Sequence, residues 1–321
     1  MLPAVPPALI QPAQVPAPGP SRDVGFPGFN RFPLNGTVLA AEGLPWFAVL
    51  AADSGPLDRD WVNPVLPGSH GGRDLAQWLA AQGVASLRYD KRIHGSRDPG
   101  LDSSLDAQAG DLSAALAAAR QLPEAQGRRL LLVGHGEGAL LALLNAQGAD
   151  ALLLLGMPPL TMAKSIAAQL RPQLPPQIAG PNLRYLDSVF QAIRERRPTP
   201  PASPEVHPAM ARLGGALMAP ETLDFVRATL DLDPWPLLAR TVSPVALVWG
   251  DRDIQAWKPT DLPPGFRGTV LEIPEANHLL KRETRPRAGL NGASALAGYG
   301  DEVPLADLKP VAAWLKGLPG R

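Results

Sequence analysis

Short apolar runs alternate with amphipathic stretches from Thr37 onward. Seven runs read as strands: Thr37–Ala40, Phe47–Ala51, Val84–Tyr89, Leu130–Val133, Ala151–Leu155, Val245–Trp249 and Thr269–Ile273. Most are unbroken rather than alternating, the pattern of strands buried on both faces of a parallel sheet. Between them lie segments with helical spacing: Arg73–Gln82, Leu105–Leu122, Gly138–Ala146 and Leu305–Leu318. The alternation predicts an α/β fold with a mostly parallel central sheet flanked by helices. Residues 157–240 interrupt it with helical patterns, many prolines and no convincing strand. A stretch of roughly 80 residues is too long for a linker inside a compact domain. Its place between two strands predicts a helical lid over the strand ends. The expected organisation is a flexible Pro-rich arm over residues 1–32 and one domain over 33–321 that carries the lid.

Composition narrows the function classes. Thirty Lys+Arg balance thirty Asp+Glu, so no excess positive charge points to nucleic acid or to an anionic membrane surface. There is no cysteine, which excludes disulfides, thiolate nucleophiles and cysteine metal sites. Seven prolines and no Lys or Arg fall in residues 1–20, unlike a secretory leader, and the later apolar runs are too short to span a bilayer. The expectation is a soluble, cytoplasmic protein with no membrane span.

The chemistry concentrates at Leu130-Leu131-Leu132-Val133-Gly134-His135-Gly136-Glu137-Gly138-Ala139-Leu140, where an apolar strand passes through a glycine-rich turn directly into a helix. In the nucleophile elbow, Gly-x-Ser-x-Gly, a serine occupies the tip of such a turn. Here the tip is Gly136. A glycine-rich strand–helix turn can also cradle a phosphate, and the later motifs discriminate. Gly250-Asp251-Arg252-Asp253-Ile254-Gln255 follows one predicted strand, and Pro274-Glu275-Ala276-Asn277-His278 follows the next. The chain order elbow, acid, histidine is that of α/β-hydrolase triads. Loops past the strand ends meet at the carboxyl edge of a parallel sheet, where such folds bind ligands.

The sequence resembles the bacterial α/β-hydrolases of the esterase and serine-aminopeptidase-like group. The resemblance rests on Ser54–Asp60, Leu87–Arg92, Gly134–Ala139, the pair Gly250–Gln255 and Asn277–Lys281, and more faintly on Asp233-Pro234 and Tyr299–Leu305. It runs from about residue 33 to the end. It implies an α/β-hydrolase fold acting on ester bonds. Gly136 then stands at the nucleophile position, Asp253 is the triad acid with Asp251 as the alternative, and His278 is the general base. The oxyanion hole is implied at the backbone N–H of Glu137 and near Ser54. Asp90, Lys91 and Arg92 read as a structural charge cluster, and His70, His94 and His207 as loop or surface residues. His135 reads as packing beside the site or touching substrate. Asp53, Trp61 and Ile93 stand where the group tends to have glycine.

Three functional readings follow. The first is an ester hydrolase with weak residual activity, in which His278, oriented by Asp253, activates a water lodged where the serine side chain is missing. Triad-deleted enzymes keep roughly 10³ to 10⁴ over water. The second is a non-catalytic pseudohydrolase that binds a small apolar, ester-like ligand. The third is a different reaction with Asp53 as nucleophile or acid. No cofactor is expected, and no His/Asp/Glu spacing suggests a metal site.

Overall fold

The computed structural model describes residues 19–62, 66, 68–98 and 100–319. Among them, eight strands form one sheet in the order β1-β2-β4-β3-β5-β6-β7-β8. The strands are β1 (Ser21–Pro27), β2 (Pro33–Leu39), β3 (Trp46–Ala51), β4 (Ala85–Tyr89), β5 (Arg129–His135), β6 (Ala151–Leu155), β7 (Val245–Gly250) and β8 (Thr269–Ile273). β1, β2 and β4 pair antiparallel; from β4 through β3, β5, β6 and β7 to β8 every pairing is parallel. β3, β4 and β6 are buried at every residue, which is why they appear as continuous apolar runs.

Two apolar layers cover the faces. One gathers Leu112, Leu116, Leu132, Leu152 and Trp249 beneath α2 (Leu105–Ala119) and α3 (Glu137–Leu144). The other gathers Trp46, Leu79, Leu131, Leu153 and Leu315 beneath α1 (Gly71–Ala81) and the C-terminal helix. Between β6 and β7 the chain leaves the sheet for α4 (Met162–Leu170), α5 (Pro176–Arg194), α6 (Pro208–Leu217), α7 (Pro220–Thr229) and α8 (Pro234–Ala239). This insertion has its own apolar centre, including Tyr185, Leu186, Val189, Phe190 and Ile193. After β8 come a short α9 (Gly292–Leu296) and α10 (Lys309–Gly317).

One boundary differs from the sequence reading. Residues 1–18 of the expected arm lie outside the described residues, but Ser21–Pro27 is a strand, paired from Ser21↔Leu39 to Pro27↔Pro33. It has no apolar run to announce it: as an edge strand it buries only Phe26. No helix among the described residues is long and apolar enough to cross a membrane.

The charge cluster after β4 is structural and partly buried. Arg59 forms two hydrogen bonds to Asp90, at 3.0 and 2.6 Å. Arg92, 4% exposed, pairs bidentately with Asp111, 2% exposed, at 2.6 and 2.7 Å. This second pair ties the loop after β4 to α2, and Asp111 also accepts the Phe29 N–H at 2.9 Å. Removing one partner of a buried pair strands the other charge. Asp111→Ala should therefore lose about 3–5 kcal/mol of stability, read from urea midpoints. The Arg92→Met/Asp111→Leu double variant should recover most of that loss; a double variant as unstable as the single would refute the account.

Candidate functional site

The carboxyl ends of four parallel strands converge on one pocket floor. β3 ends at Ala51 and leads to Asp53; β5 ends at His135 and turns at Gly136 into α3; the loop after β7 carries Asp253; the loop after β8 carries His278. Gly136 sits at the turn with φ 52° and ψ −116°, a backbone conformation costly for any other residue. Close packing of α3 enforces the sharpness of the turn: a Cβ on Gly138 would lie 2.3 Å from the Ala51 carbonyl oxygen.

His278 is 5% exposed and is held at both ring nitrogens. Its Nδ1 lies 2.7 Å from Asp253 Oδ2 and its Nε2 lies 3.0 Å from Asp53 Oδ2. Asp253, 1% exposed, also accepts the backbone N–H groups of Gln255 and Ala256 at 2.7 and 3.0 Å. The alternative acid, Asp251, faces Arg252 at 3.4 Å instead. Burial by itself pushes the His278 imidazole down, but Asp253 and Asp53 on its two sides outweigh it and lift the ring to about 10. Burial likewise pushes Asp53 up, and the hydrogen bond with His278, the nearby rings and the Glu137 N–H reverse that, holding its carboxyl well below the usual carboxylate range.

Asp53 is the residue that the sequence reading placed but did not understand. Its Oδ1 accepts the Glu137 backbone N–H at 2.7 Å, at the N-terminus of α3, where a negative charge is favoured. The Glu137 N–H expected to hold an oxyanion is therefore already occupied, and Ser54 donates its hydroxyl to the same Oδ1 at 3.3 Å. An ideal Cβ built on Gly136 would lie 1.9 Å from Asp53 Oδ1 and 2.6 Å from Oδ2. The space expected to hold a water is filled by a carboxylate. Lys91 braces this arrangement, donating to the Asp53 carbonyl oxygen at 2.9 Å and to Glu137 Oε1 at 2.8 Å.

His135, 1% exposed, lies under the same floor. Its Nε2 donates to the His278 carbonyl oxygen at 2.8 Å. Its Nδ1 has no hydrogen-bond partner and points toward Asp53 Oδ2, 3.9 Å away. Burial holds this ring below its ordinary value. Trp61 stacks on it with ring centroids 5.1 Å apart and planes 16° apart. Trp61, standing where the group tends to have glycine, is a buried wall, 6% exposed, at φ 64°. Ligand atoms of Asp53, His135 and His278 all lie within 4.8 Å of one another. Spacing along the chain hid this convergence, because the three come from three separate strand ends.

Above the floor is a cavity of about 790 Å³. Asp53, His135, Gly136 and His278 line its base, and Ile166 and Phe225 of the insertion are among the apolar residues closing it from above. Ile93 lines its side. His70 and His94 lie outside the floor, paired with Asp301 at 2.7 Å and the Pro56 carbonyl oxygen at 3.2 Å, and His207 caps α6.

Similar folds occur among solved structures. An esterase of Pyrococcus furiosus is 14% identical, with 94% of each chain covered and a TM-score of 0.53. A proline iminopeptidase of Mycobacterium smegmatis is 18% identical over 80% of this chain and 92% of its own, with a TM-score of 0.51. At these identities the likeness concerns the fold alone. No curated protein matches the chain. The sequence profile of the alpha/beta hydrolase family, however, matches residues 65–290, from the segment before α1 to the loop beyond His278. That match spans well over half the sequence and agrees with the order of strand ends just described: the chain belongs to the alpha/beta hydrolase family.

Proposed function

We propose that this protein is a relative of the carboxylic ester hydrolases in which Gly136 holds the nucleophile position and Asp53 fills it, so that serine-type acyl transfer is weak or lost. The observation that carries this reading is the overlap between a Gly136 Cβ and the Asp53 carboxylate, 1.9 Å to Oδ1. Covalent catalysis of this type needs a side-chain hydroxyl within reach of the base and free donors for the oxyanion. Glycine offers no hydroxyl, and Asp53 takes both the donor at Glu137 and the space beside His278. Asp253 and His278 stand in the relation of triad acid and base, with Asp53 where the hydroxyl belongs.

A second reading has its own support. The cavity of about 790 Å³ is of ligand size and is lined mainly by apolar side chains. A small apolar, ester-like molecule held there without turnover fits this space, with the α4–α8 insertion lining it as a lid.

Two outcomes test these readings. The parent should not label with a fluorophosphonate, and Gly136→Ser alone should stay silent, because the new side chain meets the Asp53 carboxylate. Gly136→Ser with Asp53→Gly frees both the tip and the Glu137 N–H. It should gain at least about two orders of magnitude on short p-nitrophenyl esters and label at residue 136. A parent that labels and turns over would end the reading. For binding, a non-hydrolysable ketone analogue of such an ester should raise the melting temperature of the parent. Ile166→Asp, which sets a charge in the cavity wall, should abolish that rise; an unchanged rise would place the ligand elsewhere.

A further inference from the structure

We infer that Asp53, His135 and His278 form a binding site for one divalent first-row transition cation of the zinc class. This goes beyond the reading of the nucleophile position and does not depend on it.

The donor set comes first. Asp53 offers Oδ2, His135 offers Nδ1 and His278 offers Nε2, and these atoms lie within 4.8 Å of one another. The Asp53–His278 separation is 3.0 Å and the Asp53–His135 separation 3.9 Å. Metal–ligand bonds of about 2.0–2.2 Å at tetrahedral angles put neighbouring ligand atoms roughly 3.3–3.6 Å apart. The Asp53–His278 pair is slightly closer than that and the Asp53–His135 pair slightly wider, so a small shift of the Asp53 carboxylate between the two rings brings both toward range. Two imidazoles and one carboxylate suit zinc, cobalt or ferrous ions and disfavour magnesium and calcium, which take oxygen ligands.

The His135 tautomer is set for this use. His135 Nε2 is committed as donor to the His278 carbonyl oxygen, which leaves Nδ1 as the lone-pair nitrogen. That atom is buried without a partner and faces Asp53. Among buried polar atoms an orphan of this kind asks for a physical reason, and a cation supplies one. His278 Nδ1 is committed to Asp253 and Nε2 is directed at the same point, donating to Asp53; a cation bound there takes the place of that proton, which leaves to solvent. A carboxylate behind a ligating histidine fixes its ring and raises its basicity. Asp53 is fixed as well: Oδ1 is held by the Glu137 N–H, so Oδ2 alone faces the two rings.

Charge and space agree. Asp53 and Asp253 neutralise a dication with both imidazoles uncharged, while the nearest other charges, Lys91 and Glu137, pair with each other at 2.8 Å. Gly136 lines the same floor, and its lack of a side chain leaves the carboxylate its position. The remaining coordination positions open into the cavity, where a bound molecule or water completes the shell.

The test uses the full, tag-free chain stripped with a chelator. Zn²⁺ or Co²⁺ alone should bind one per chain at neutral pH, and the Co²⁺ form should show the visible bands of a four- or five-coordinate site. Of the five histidines, only His135 and His278 should shift their ring-nitrogen NMR resonances when Zn²⁺ is added. Asp253→Asn should weaken Zn²⁺ binding by about 10–100-fold, and the near-isosteric Asp53→Asn further still, with melting curves confirming folding. No stoichiometric binding by the parent, shifts at His70, His94 or His207 instead, or affinity unchanged in a folded Asp53→Asn variant would each overturn the inference. Binding is read without substrate, so these failures are distinct from failure of the esterase reading.

Discussion

The site is organised around an electrostatic demand: two carboxylates, Asp53 and Asp253, face the two nitrogens of one buried imidazole. Buried negative charge is costly unless positive charge or hydrogen bonds answer it. Two backbone N–H groups serve Asp253 and one serves Asp53. The rest must come from between the carboxylates, from a proton on His278 or from a cation. In an ordinary hydrolase the neutral hydroxyl of serine occupies the place of Asp53 and makes no such demand. A carboxylate at this point, where a hydroxyl would be neutral, changes the ground state of the histidine itself.

That carboxylate makes the residues around it depend on one another. Asp53 needs Gly136, because any Cβ there would overlap its carboxylate. Lys91 holds both the Asp53 carbonyl and the Glu137 side chain, so the two loops that bring carboxylate and turn together are fastened by one ammonium. Trp61 stacks its ring on His135 and fixes its plane. Gly136, Asp53 and Trp61 are parts of one rearranged floor rather than separate losses.

Much of the fold was legible in the sequence because a parallel sheet buried on both faces writes itself as apolar runs; Ala151–Leu155 was read to the residue. β1 was not, because an edge strand alternates charge with a single buried phenylalanine and looks like loop. Asp253 and His278 were legible from their places just past strand ends. The function of Asp53 was not: its identity was visible, but its meaning depends on a distance to Gly136 across 83 positions of chain, which only the pairing of β3 with β5 creates. The orientation of His135 was hidden for the same reason, being set by Trp61 and by a carbonyl of the loop after β8.

The helical insertion leaves the sheet after β6 and returns at β7, two strands that are hydrogen-bonded neighbours. Its helices α4–α7 carry their own apolar centre, while α8 packs Leu238 into the layer beneath α2 and α3. The centre of α4–α7 is thus built apart from the strand ends that hold Asp53, His135, Asp253 and His278, and α4 touches those ends through the Gln169 side chain, which donates to the Gln255 carbonyl oxygen. Evolution can therefore retune what enters the cavity and how the floor treats it along two separate lines of descent within one chain.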